Sequence, residues 1–312
     1  MAIQNKVLPS VNTDSTQYVG RFAPSPSGPL HFGSLVTAVG SYLQAKKNEG
    51  KWLLRIEDID PPREIPGAAD NILKCLAAHH LYWDDSVVYQ SQRSELYLDK
   101  LDWLAKHGHT YLCACTRSQL LHSDVFCLCD CVNRSLRIKD CAIRFKHSDP
   151  IKQFNDQVLG QISFKPNELP AQFTLRRKDG LFAYQLAVVV DDIEQGISEV
   201  ARGADLLSAT AFQLSLYRAF QRATPKFLHF PVVVSKPGMK LSKQNHAPGI
   251  DNSKASSNII QALAFLGLSV PKSLMQESCA NILQWAIAHW DIHSLLAEQE
   301  RIDNRIELVD SI

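Results

Sequence analysis

A glycine-rich turn early in the chain carries the first residues whose types and spacing could do chemistry. The segment SPSGPLHFGSL follows an apolar run and precedes a stretch of helical periodicity, so it has the position of a strand-to-helix turn. Gly28 and Gly33 let the backbone approach a ligand closely, and the free N–H groups of a helix start favour an anion. His31 can add a hydrogen bond. The turn therefore predicts a phosphate site, although an ordinary turn with a surface histidine has the same composition.

A basic loop much later in the chain could act on the same ligand. GMKLSKQN follows the apolar run FPVVVS and places Lys240 and Lys243 on either side of Ser242. Ammonium groups stabilise the charge that develops on a transferring phosphoryl group. Taken alone, the loop is more typical of a solvated basic segment, so its interpretation depends on the first motif.

A third chemical feature is a dense run of cysteines. Six of the eight cysteines fall within one short segment, and in a chain that is expected to be cytosolic this density indicates metal binding first. Cys113-x-Cys115 and Cys127-x₃-Cys131 supply two close pairs, as a tetrahedral zinc site requires. Three further residues stay open as a competing ligand, a substitute ligand and a buried core thiol: Cys129, His122 and Cys141, respectively.

The segments around these motifs predict an α/β fold with a parallel sheet. Strand, glycine turn, helix and strand follow one another at the start, which is the opening of a βαβ unit. The apolar run in FAYQLAVVVDDIEQGI is expected to form the most hydrophobic strand, and FLHFPVVVS another buried strand. The remaining expectations are a helix over residues 94–107, short strands within 142–178, a helix in LLSATAFQLSLYRAFQ, and helices throughout 253–312.

Composition limits the class of protein. The 312 residues are 45 % apolar and 21 % charged, which is ordinary for a globular chain of two domains or of one large domain with an insertion. Thirty-three basic and 32 acidic residues give a net charge of +1, which excludes a strongly basic nucleic-acid-binding chain but not a local basic face. Neither a transmembrane stretch nor a secretory leader is apparent, so we expect a cytoplasmic protein without membrane contact.

Taken together and in order, these motifs resemble those of class I aminoacyl-tRNA synthetases. The residues from His31 to Ser34 resemble the HIGH motif, and those from Lys240 to Gln244 resemble the KMSKS motif. GRFAPSPSGPLHFGSL, LLRIEDIDPPR, YQLAVVVDD and EVARGADLL are similar, in the same order, to the catalytic core of glutamyl-tRNA synthetases over roughly residues 17–250. The resemblance implies a Rossmann-like parallel sheet with a zinc-containing insertion and a short helical C-terminal region.

The resemblance also implies the residues of the site. Glutamate carries two carboxylates and an ammonium, so its pocket needs arginines, a carboxylate and hydroxyl donors. The expected glutamate-binding residues are Arg21 at a strand end, Ser25, Glu57 at the next strand end, Tyr184, and Arg202 in the VARGAD turn. The expected ATP-binding and catalytic residues are His31, Gly33, Ser34, Lys240, Ser242 and Lys243, with Mg²⁺ accompanying ATP. One structural zinc would be held by Cys113, Cys115, Cys127 and Cys131, with Cys127 where the family has a tyrosine.

Only a short segment follows the KMSKS-like motif. In this respect the chain resembles a truncated paralogue that attaches glutamate to the queuosine base of tRNA(Asp). ATP, L-glutamate and tRNA(Asp) carrying queuosine are then the expected partners of a monomeric ligase. The expected divisions are a flexible tail at 1–16, two halves of a nucleotide-binding catalytic domain at 17–112 and 179–250, a zinc-containing insertion for acceptor binding at 113–178, and a helical region without an anticodon-binding domain at 251–312.

Alternative functions stay open at this point. The chain could be a discriminating glutamyl-tRNA synthetase, a glutamate-activating ligase with another acceptor, a non-catalytic RNA-binding paralogue or a nucleotidyltransferase. Arg176, Arg177 and Lys178 are candidates for RNA backbone contacts, although a solvated charged hairpin is the more frequent role of such a run.

Overall fold

The first half of the fold is a parallel βαβ unit, as the sequence predicts. A computed structural model describes residues 17–116, 119, 131, 137, 139, 141–146, 150–165, 168–169, 172–240 and 248–303. Strand β1 (Val19–Phe22) leads through the glycine-rich turn into helix α1 (Phe32–Lys47), which returns to strand β2 (Lys51–Ile56). Strands β1 and β2 pair in parallel, and β2 pairs in parallel with β3 (Val88–Tyr89) after helix α2 (Ala68–Ala78).

The second half extends this parallel arrangement. Strand β9 (Glu199–Gly203), helix α5 (Leu207–Ala219) and strand β10 (Lys226–Phe230) form another parallel unit. Strand β9 lies beside β1, because the Ser198 N–H donates to the Val19 carbonyl at 2.9 Å. On the far side, β10 pairs with β6 (Gln153–Asp156), which forms a hairpin with β7 (Gly160–Ser163). The carboxyl ends of the parallel strands therefore share one edge, where α/β sheets collect ligands.

Helix α1 packs closely on the sheet between its two halves. A Cβ atom on Gly40 would lie 2.5 Å from the Phe230 ring, so only glycine allows this approach. Leu35, Val39 and Leu43 are fully buried on the same helix. Helices α6 (Ala255–Phe265) and α7 (Cys279–His289) contribute to the same core.

An antiparallel sheet and three helices form a second core. Strands β4 (Thr110–Cys113), β5 (Ala142–Lys146) and β8 (Gln172–Arg176) make up this sheet. Its apolar face packs with α5 against α3 (Ser94–Lys106) and α4 (Tyr184–Glu194). The cysteine segment lies between β4 and β5.

The most apolar run of the chain is a helix, and the prediction of a strand there was wrong. Residues 186–190 of α4 are all fully buried, because the helix packs between α3, α5 and β8. A helix buried on most of its circumference has no polar face, so its sequence lacks the helical periodicity that would have identified it.

The FLHFPVVVS segment forms two strands in different sheets. Pro231 separates β10 from β11 (Val232–Lys236), since proline has no N–H to continue the ladder. Strand β11 pairs with β12 (Met239–Lys240) and, in parallel, with β13 (Glu300–Ile302). The C-terminal region is therefore not helical throughout, because it returns a strand to the sheet that carries Lys240. Every helix within the described ranges is too short or too polar to span a bilayer.

Candidate active site

A cleft of about 590 Å³ opens at the carboxyl edge of the parallel strands. It brings together side chains from β1, β2, β9, the start of α1 and β12. The cleft is lined by all five residues predicted for glutamate and four of those predicted for ATP: Arg21, Ser25, Glu57, Tyr184, Arg202, His31, Gly33, Ser34 and Lys240. Ser242 and Lys243 lie outside the described residues, as do the tail at 1–16, Cys127, Cys129 and His122.

The start of α1 forms the phosphate-binding side of the cleft. His31 caps the helix, with its Nδ1 accepting from the Ser34 N–H at 3.3 Å. Gly28 has a φ of +131°, a conformation that side-chain-bearing residues rarely adopt. A Cβ on Gly33 would lie 3.2 Å from the His31 ring, so glycine lets the ring rest against the helix start. The N–H groups there, with the helix dipole, can hold an anion.

Lys240 stands across the cleft from the helix start, on β12. Its ammonium lies 2.5 Å from the Asp205 carboxylate, which also lines the cleft. Both side chains are more than a third exposed, so solvent screens the pair and it contributes little to stability. The pair places one cation, the first residue of the KMSKS-like motif, at the mouth of the cleft.

Arg21 belongs to a closed network of buried charges. Its Nε and Nη2 donate to the two carboxylate oxygens of Asp192 at 3.0 and 3.3 Å. Arg55, fully buried on β2, donates to the same carboxylate at 2.7 Å. Burial alone would raise the pKa of Asp192, but the guanidiniums of Arg21 and Arg55 hold it below its usual value. The Asp192 carboxylate is thus shared by two cations, and Arg55 also lies 3.8 Å from the carboxylates of Asp191 and Glu57.

Asp191, next to Asp192 on α4, extends this network away from the cleft. Its carboxylate accepts from Gln90 at 2.7 Å, Arg93 at 2.6 Å and Tyr97 at 2.8 Å. Burial and the Asp191 carboxylate raise the pKa of Tyr97 well above its usual range, so the phenol remains a donor. The network fixes α4 to β2 and α3, and it therefore supports the floor of the cleft.

Arg202 is buried in the same cleft but has a different environment. It lies on β9, not in a turn as predicted, and donates to Thr210 Oγ1 at 2.7 Å and to His229 Nε2 at 3.2 Å. Its Nη1 reaches the Tyr184 hydroxyl at 3.4 Å. Within the described part of the chain, no carboxylate lies within 4.0 Å of this guanidinium. Burial and the charge of Arg21 lower the pKa of Arg202, yet arginine remains charged at neutral pH.

His229, one of the partners of Arg202, is oriented by a further buried hydrogen bond. His229 Nδ1 lies 2.7 Å from the Asp156 carboxylate. Burial lowers the pKa of His229, although the bond to Asp156 opposes this. A neutral ring that donates from Nδ1 to Asp156 presents Nε2 as an acceptor for the Arg202 Nε–H. The chain Asp156–His229–Arg202 therefore orients the guanidinium without neutralising it at close range.

Glu57 provides the opposite charge, and its pairing with the protein is weak. It follows β2, and its side chain is 8 % exposed. Its nearest cation is Arg55 Nε at 3.8 Å, and it accepts no side-chain hydrogen bond from the described residues. Burial raises the pKa of Glu57 to about 7, against the opposing charges of Arg55 and Arg21. Tyr184, at the first residue of α4 rather than at a strand end, has its pKa raised by burial.

The arrangement suits one kind of ligand. An arginine with no carboxylate partner among the described residues and a carboxylate whose nearest cation is 3.8 Å away line the same cleft as an anion-binding helix start. These groups match an amino acid with an additional carboxylate, lying next to a nucleotide phosphate.

The cysteine cluster is the candidate metal site. The sulfurs of Cys113, Cys115 and Cys131 all lie within 4.8 Å of one another, and two of them, on Cys115 and Cys131, are 4.0 Å apart. Tetrahedral zinc with bonds of about 2.3 Å places thiolates roughly 3.8 Å apart, whereas a disulfide needs about 2.05 Å. The donor set therefore fits zinc. Cys141 is buried, as predicted for a core thiol.

The charged run at the end of β8 is held by protein contacts. Arg177 reaches Asp60 at 3.3 Å and Asp179 at 2.6 Å, and the Lys178 ammonium lies 2.5 Å from the Ala114 carbonyl. Arg176 donates to the Gly180 carbonyl at 3.1 Å. A contact of these residues with RNA stays a prediction.

Sequence reasoning missed the residues that support the cleft. Arg55, Asp191, Asp192, His229 and Asp156 were not predicted to have roles, although the first three lie within quoted motifs. The available signal was a charge inside an apolar run: Arg55 interrupts WLLRI, and the two aspartates end VVVDD. Charges at such positions are buried and need partners.

The sequence matches a family model that covers most of the chain. Residues 17–124 and 129–288 match "tRNA synthetases class I (E and Q), catalytic domain". The chain belongs to this family of class I tRNA synthetases, and it has the corresponding fold.

Individual relatives narrow the comparison. The chain is 50 % identical over 281 residues to the glutamyl-Q tRNA(Asp) synthetase of Vibrio vulnificus (strain CMCP6), covering 90 % of this chain and 92 % of the relative. It is 46 % identical over 293 residues to the protein of that name from Yersinia pestis, covering 94 % and 91 %. A solved glutamate-tRNA synthetase from Elizabethkingia anophelis is similar with a TM-score of 0.75 and 26 % identity, over 93 % of this chain and 68 % of that one.

Proposed function

We propose that the chain activates L-glutamate with ATP without needing tRNA, and then transfers the glutamyl group to the queuosine base of tRNA(Asp). The observation that supports activation best is the presence, in one cleft, of two buried charged groups. Arg202 has no carboxylate within 4.0 Å in the described part of the chain, and Glu57 has its nearest cation, Arg55, at 3.8 Å. The acceptor is supported by relatives of about half-identical sequence that are named glutamyl-Q tRNA(Asp) synthetase. These relatives also disfavour another acceptor or a non-catalytic role.

Glutamate would bind through groups of opposite charge. Arg202 would hold one carboxylate with donors that its neutral partners leave available, and Tyr184 and Ser25 would add hydroxyl groups. Glu57 would accept from the ammonium, and that charge would return its pKa toward the usual range. Arg21 has two nitrogens committed to Asp192, so it would contribute mainly through its field and its remaining nitrogen.

Activation needs stabilisation of phosphoryl charge rather than a protein nucleophile. A glutamate carboxylate oxygen attacks the α-phosphorus of ATP, a new P–O bond forms, and pyrophosphate leaves with the electrons of the broken bond. His31, Ser34 and the N–H groups at the start of α1 would stabilise the charged oxygens, with Lys240 and Lys243 from the second motif. Mg²⁺ that accompanies ATP would neutralise part of the phosphate charge.

Transfer then uses a hydroxyl of the queuosine cyclopentenediol. Its oxygen forms an ester bond with the activated carbonyl carbon, the C–O bond to the phosphate breaks, AMP leaves, and the hydroxyl proton is lost to solvent. The acceptor base must be exposed to reach the cleft, as bases in RNA loops are.

The cysteine cluster would hold one structural zinc. Cys113, Cys115 and Cys131 supply three thiolates, and Cys127 is the proposed fourth ligand. Four protein ligands leave no open position, so the metal would shape the insertion at 113–178 rather than take part in chemistry. We propose that this insertion contacts the RNA, that the catalytic halves are 17–112 and 179–250, and that the protein is a monomer.

The proposal is tested by two assays on the wild-type protein. We expect glutamate-dependent ATP–pyrophosphate exchange without tRNA, and transfer of labelled glutamate to tRNA(Asp) only when it carries queuosine. Exchange without transfer to either tRNA would point to another acceptor. Absence of exchange would overturn the proposal.

The zinc site is tested by metal content. We expect about one zinc per chain in the wild-type protein and loss of most of it in Cys115→Ser, since one of about four ligands is removed. Cys279→Ser, at a cysteine far from the cluster along the chain, is the matched control and should keep its zinc. Equal zinc content in both variants would contradict the assignment.

A further inference from the structure

A second pocket of about 380 Å³ adjoins the cleft. Its walls away from the cleft are formed by the loop after β2, the end of β8 and the start of α4. The two cavities share part of their lining: Ser25, Ser27, Glu57 and Tyr184. A ligand in the second pocket would therefore lie directly beside a ligand in the cleft.

The second pocket contains hydrogen-bond acceptors that lack donors. Gln90 lines the pocket and is fully buried, and its Nε2 donates to Asp191 at 2.7 Å. Its Oε1 is also buried and receives no hydrogen bond from the described residues. The same is true of one carboxylate oxygen of Glu64. Buried acceptors without donors are unfavourable, so the pocket is suited to a ligand that supplies N–H or O–H groups.

The unmatched charge of this pocket is negative. Arg63 pairs with Asp60 at 2.5 Å, and Arg177 pairs with Asp60 at 3.3 Å and with Asp179 at 2.6 Å, so these two cations are balanced by two carboxylates. Glu64 has no cation within 4.0 Å in the described part of the chain. Burial and the carboxylates of Asp58 and Asp60 raise the pKa of Glu64, which a bound cation would reverse.

The wall that carries Glu64 is fixed by backbone hydrogen bonds. The Ile65 N–H donates to the Pro26 carbonyl at 3.0 Å, and the Glu57 N–H donates to the Pro24 carbonyl at 3.0 Å. These bonds tie the loop after β2 to the turn that precedes His31. The acceptors are therefore held in place before any ligand binds, which lowers the entropic cost of binding.

We propose that this second pocket binds the cationic, hydroxyl-bearing substituent of the acceptor nucleobase, through the Glu64 carboxylate and the Gln90 side-chain carbonyl. The inference rests on the proposed function and deepens it. Queuosine joins its cyclopentenediol to the base through a secondary ammonium, so it offers a charge for Glu64 and hydrogen-bond donors for Gln90. A diol in this pocket lies next to the glutamate cleft, where the activated carbonyl would be.

The decisive variant is Glu64→Gln, which keeps the size of the side chain and removes its charge. We expect pyrophosphate exchange without tRNA to stay within about twofold of wild type, while kcat/KM for transfer to queuosine-containing tRNA(Asp) falls about tenfold or more, as expected for a lost charged hydrogen bond. Glu95→Gln, an exposed residue in the first turn of α3, is the matched control and should leave both assays unchanged.

Gln90→Met is a second variant, which removes the acceptor without a donor, Gln90 Oε1. It also removes the hydrogen bond to Asp191, and a thermal melt shows whether that loss destabilises the fold. Normal transfer by a folded Glu64→Gln variant would overturn the inference while leaving the proposed function intact. A raised KM for glutamate in exchange would assign the pocket to the amino acid and would also overturn it. Failure of the wild-type protein in either assay would instead remove the proposed function.

Discussion

The two sides of the cleft differ in whether the protein supplies a counter-charge for a buried arginine. On the Arg21 side, Arg21 and Arg55 share the Asp192 carboxylate, so each guanidinium has a carboxylate partner. On the Arg202 side, a guanidinium equally removed from water has, among the described residues, neutral groups alone within hydrogen-bond distance, including Thr210 and His229. The first side is electrostatically complete without a ligand. The second side is incomplete, and a substrate carboxylate would complete it.

The largest expected effect is on stability, from removing Arg55 on the complete side. Arg55→Met should lower the free energy of unfolding by about 3–5 kcal/mol, because it breaks a buried ion pair and leaves a carboxylate less well compensated. Urea unfolding checks this value. Lys51→Met, on the same strand but in an exposed pair with Asp85, is the control and should change little. Equal destabilisation by the two substitutions would show that the buried network and the exposed pair contribute equally to stability.

On the incomplete side the large effect should be on substrate rather than on folding. Arg202→Met should lower kcat/KM for glutamate in pyrophosphate exchange about 100-fold. This loss lies in the range expected when a buried charged contact with a ligand is broken. Its unfolding free energy should stay unchanged or rise, since an uncompensated buried charge is removed. Arg222→Met, outside the cleft, is the control. A strongly destabilised Arg202→Met would show that both sides are structural.

A smaller effect should follow from the titration of Glu57. Its pKa of about 7 means that, in the free protein, Glu57 loses its charge as the pH falls below that value. At about pH 6 roughly nine-tenths of it is protonated, so the affinity for glutamate should be about tenfold lower than at about pH 8. Calorimetric titration measures this dependence, and Glu57→Gln should abolish it. A dissociation constant that stays constant over this range would exclude Glu57 as the ammonium partner.

The smallest expected effect tests how Asp156 orients the His229 ring toward Arg202. Asp156→Asn weakens control of the His229 ring, so Nε2 presents an acceptor to Arg202 less reliably. The KM for glutamate should rise about fivefold, equivalent to roughly 1 kcal/mol for one hydrogen bond. Asp205→Asn, at the exposed pair with Lys240, should leave the KM for glutamate near its wild-type value, because it acts on the ATP side of the cleft.

The sequence predicted those parts of the site that depend on local pattern. Arg21 and Glu57 come at the ends of short apolar runs, and such runs form parallel strands whose ends share one edge. The position of His31 at a helix start follows from the turn before it. The sequence within a few positions of each residue was enough to predict where these side chains lie.

The parts that were not predicted depend on distant contacts. The partners of Arg202 come from α4, α5 and β10, and no local pattern indicates that they would be neutral. The α4 run was mistaken for a strand because surrounding elements bury it on most sides. The break at Pro231 was visible in the sequence, yet the assignment of the two strands to different sheets depends on β13 at the far end of the chain.

That pairing of β11 with β13 has a consequence for the order in which the protein can be completed during synthesis. Strand β11 emerges from the ribosome well before β13, with both C-terminal helices between them. Until the last residues arrive, β11 has one edge without its native partner, and unpaired edges invite association with other chains. The Arg202 side of the cleft can assemble earlier from β9 and β10. The nascent chain would thus acquire the Arg202 side before the sheet that carries Lys240 is complete.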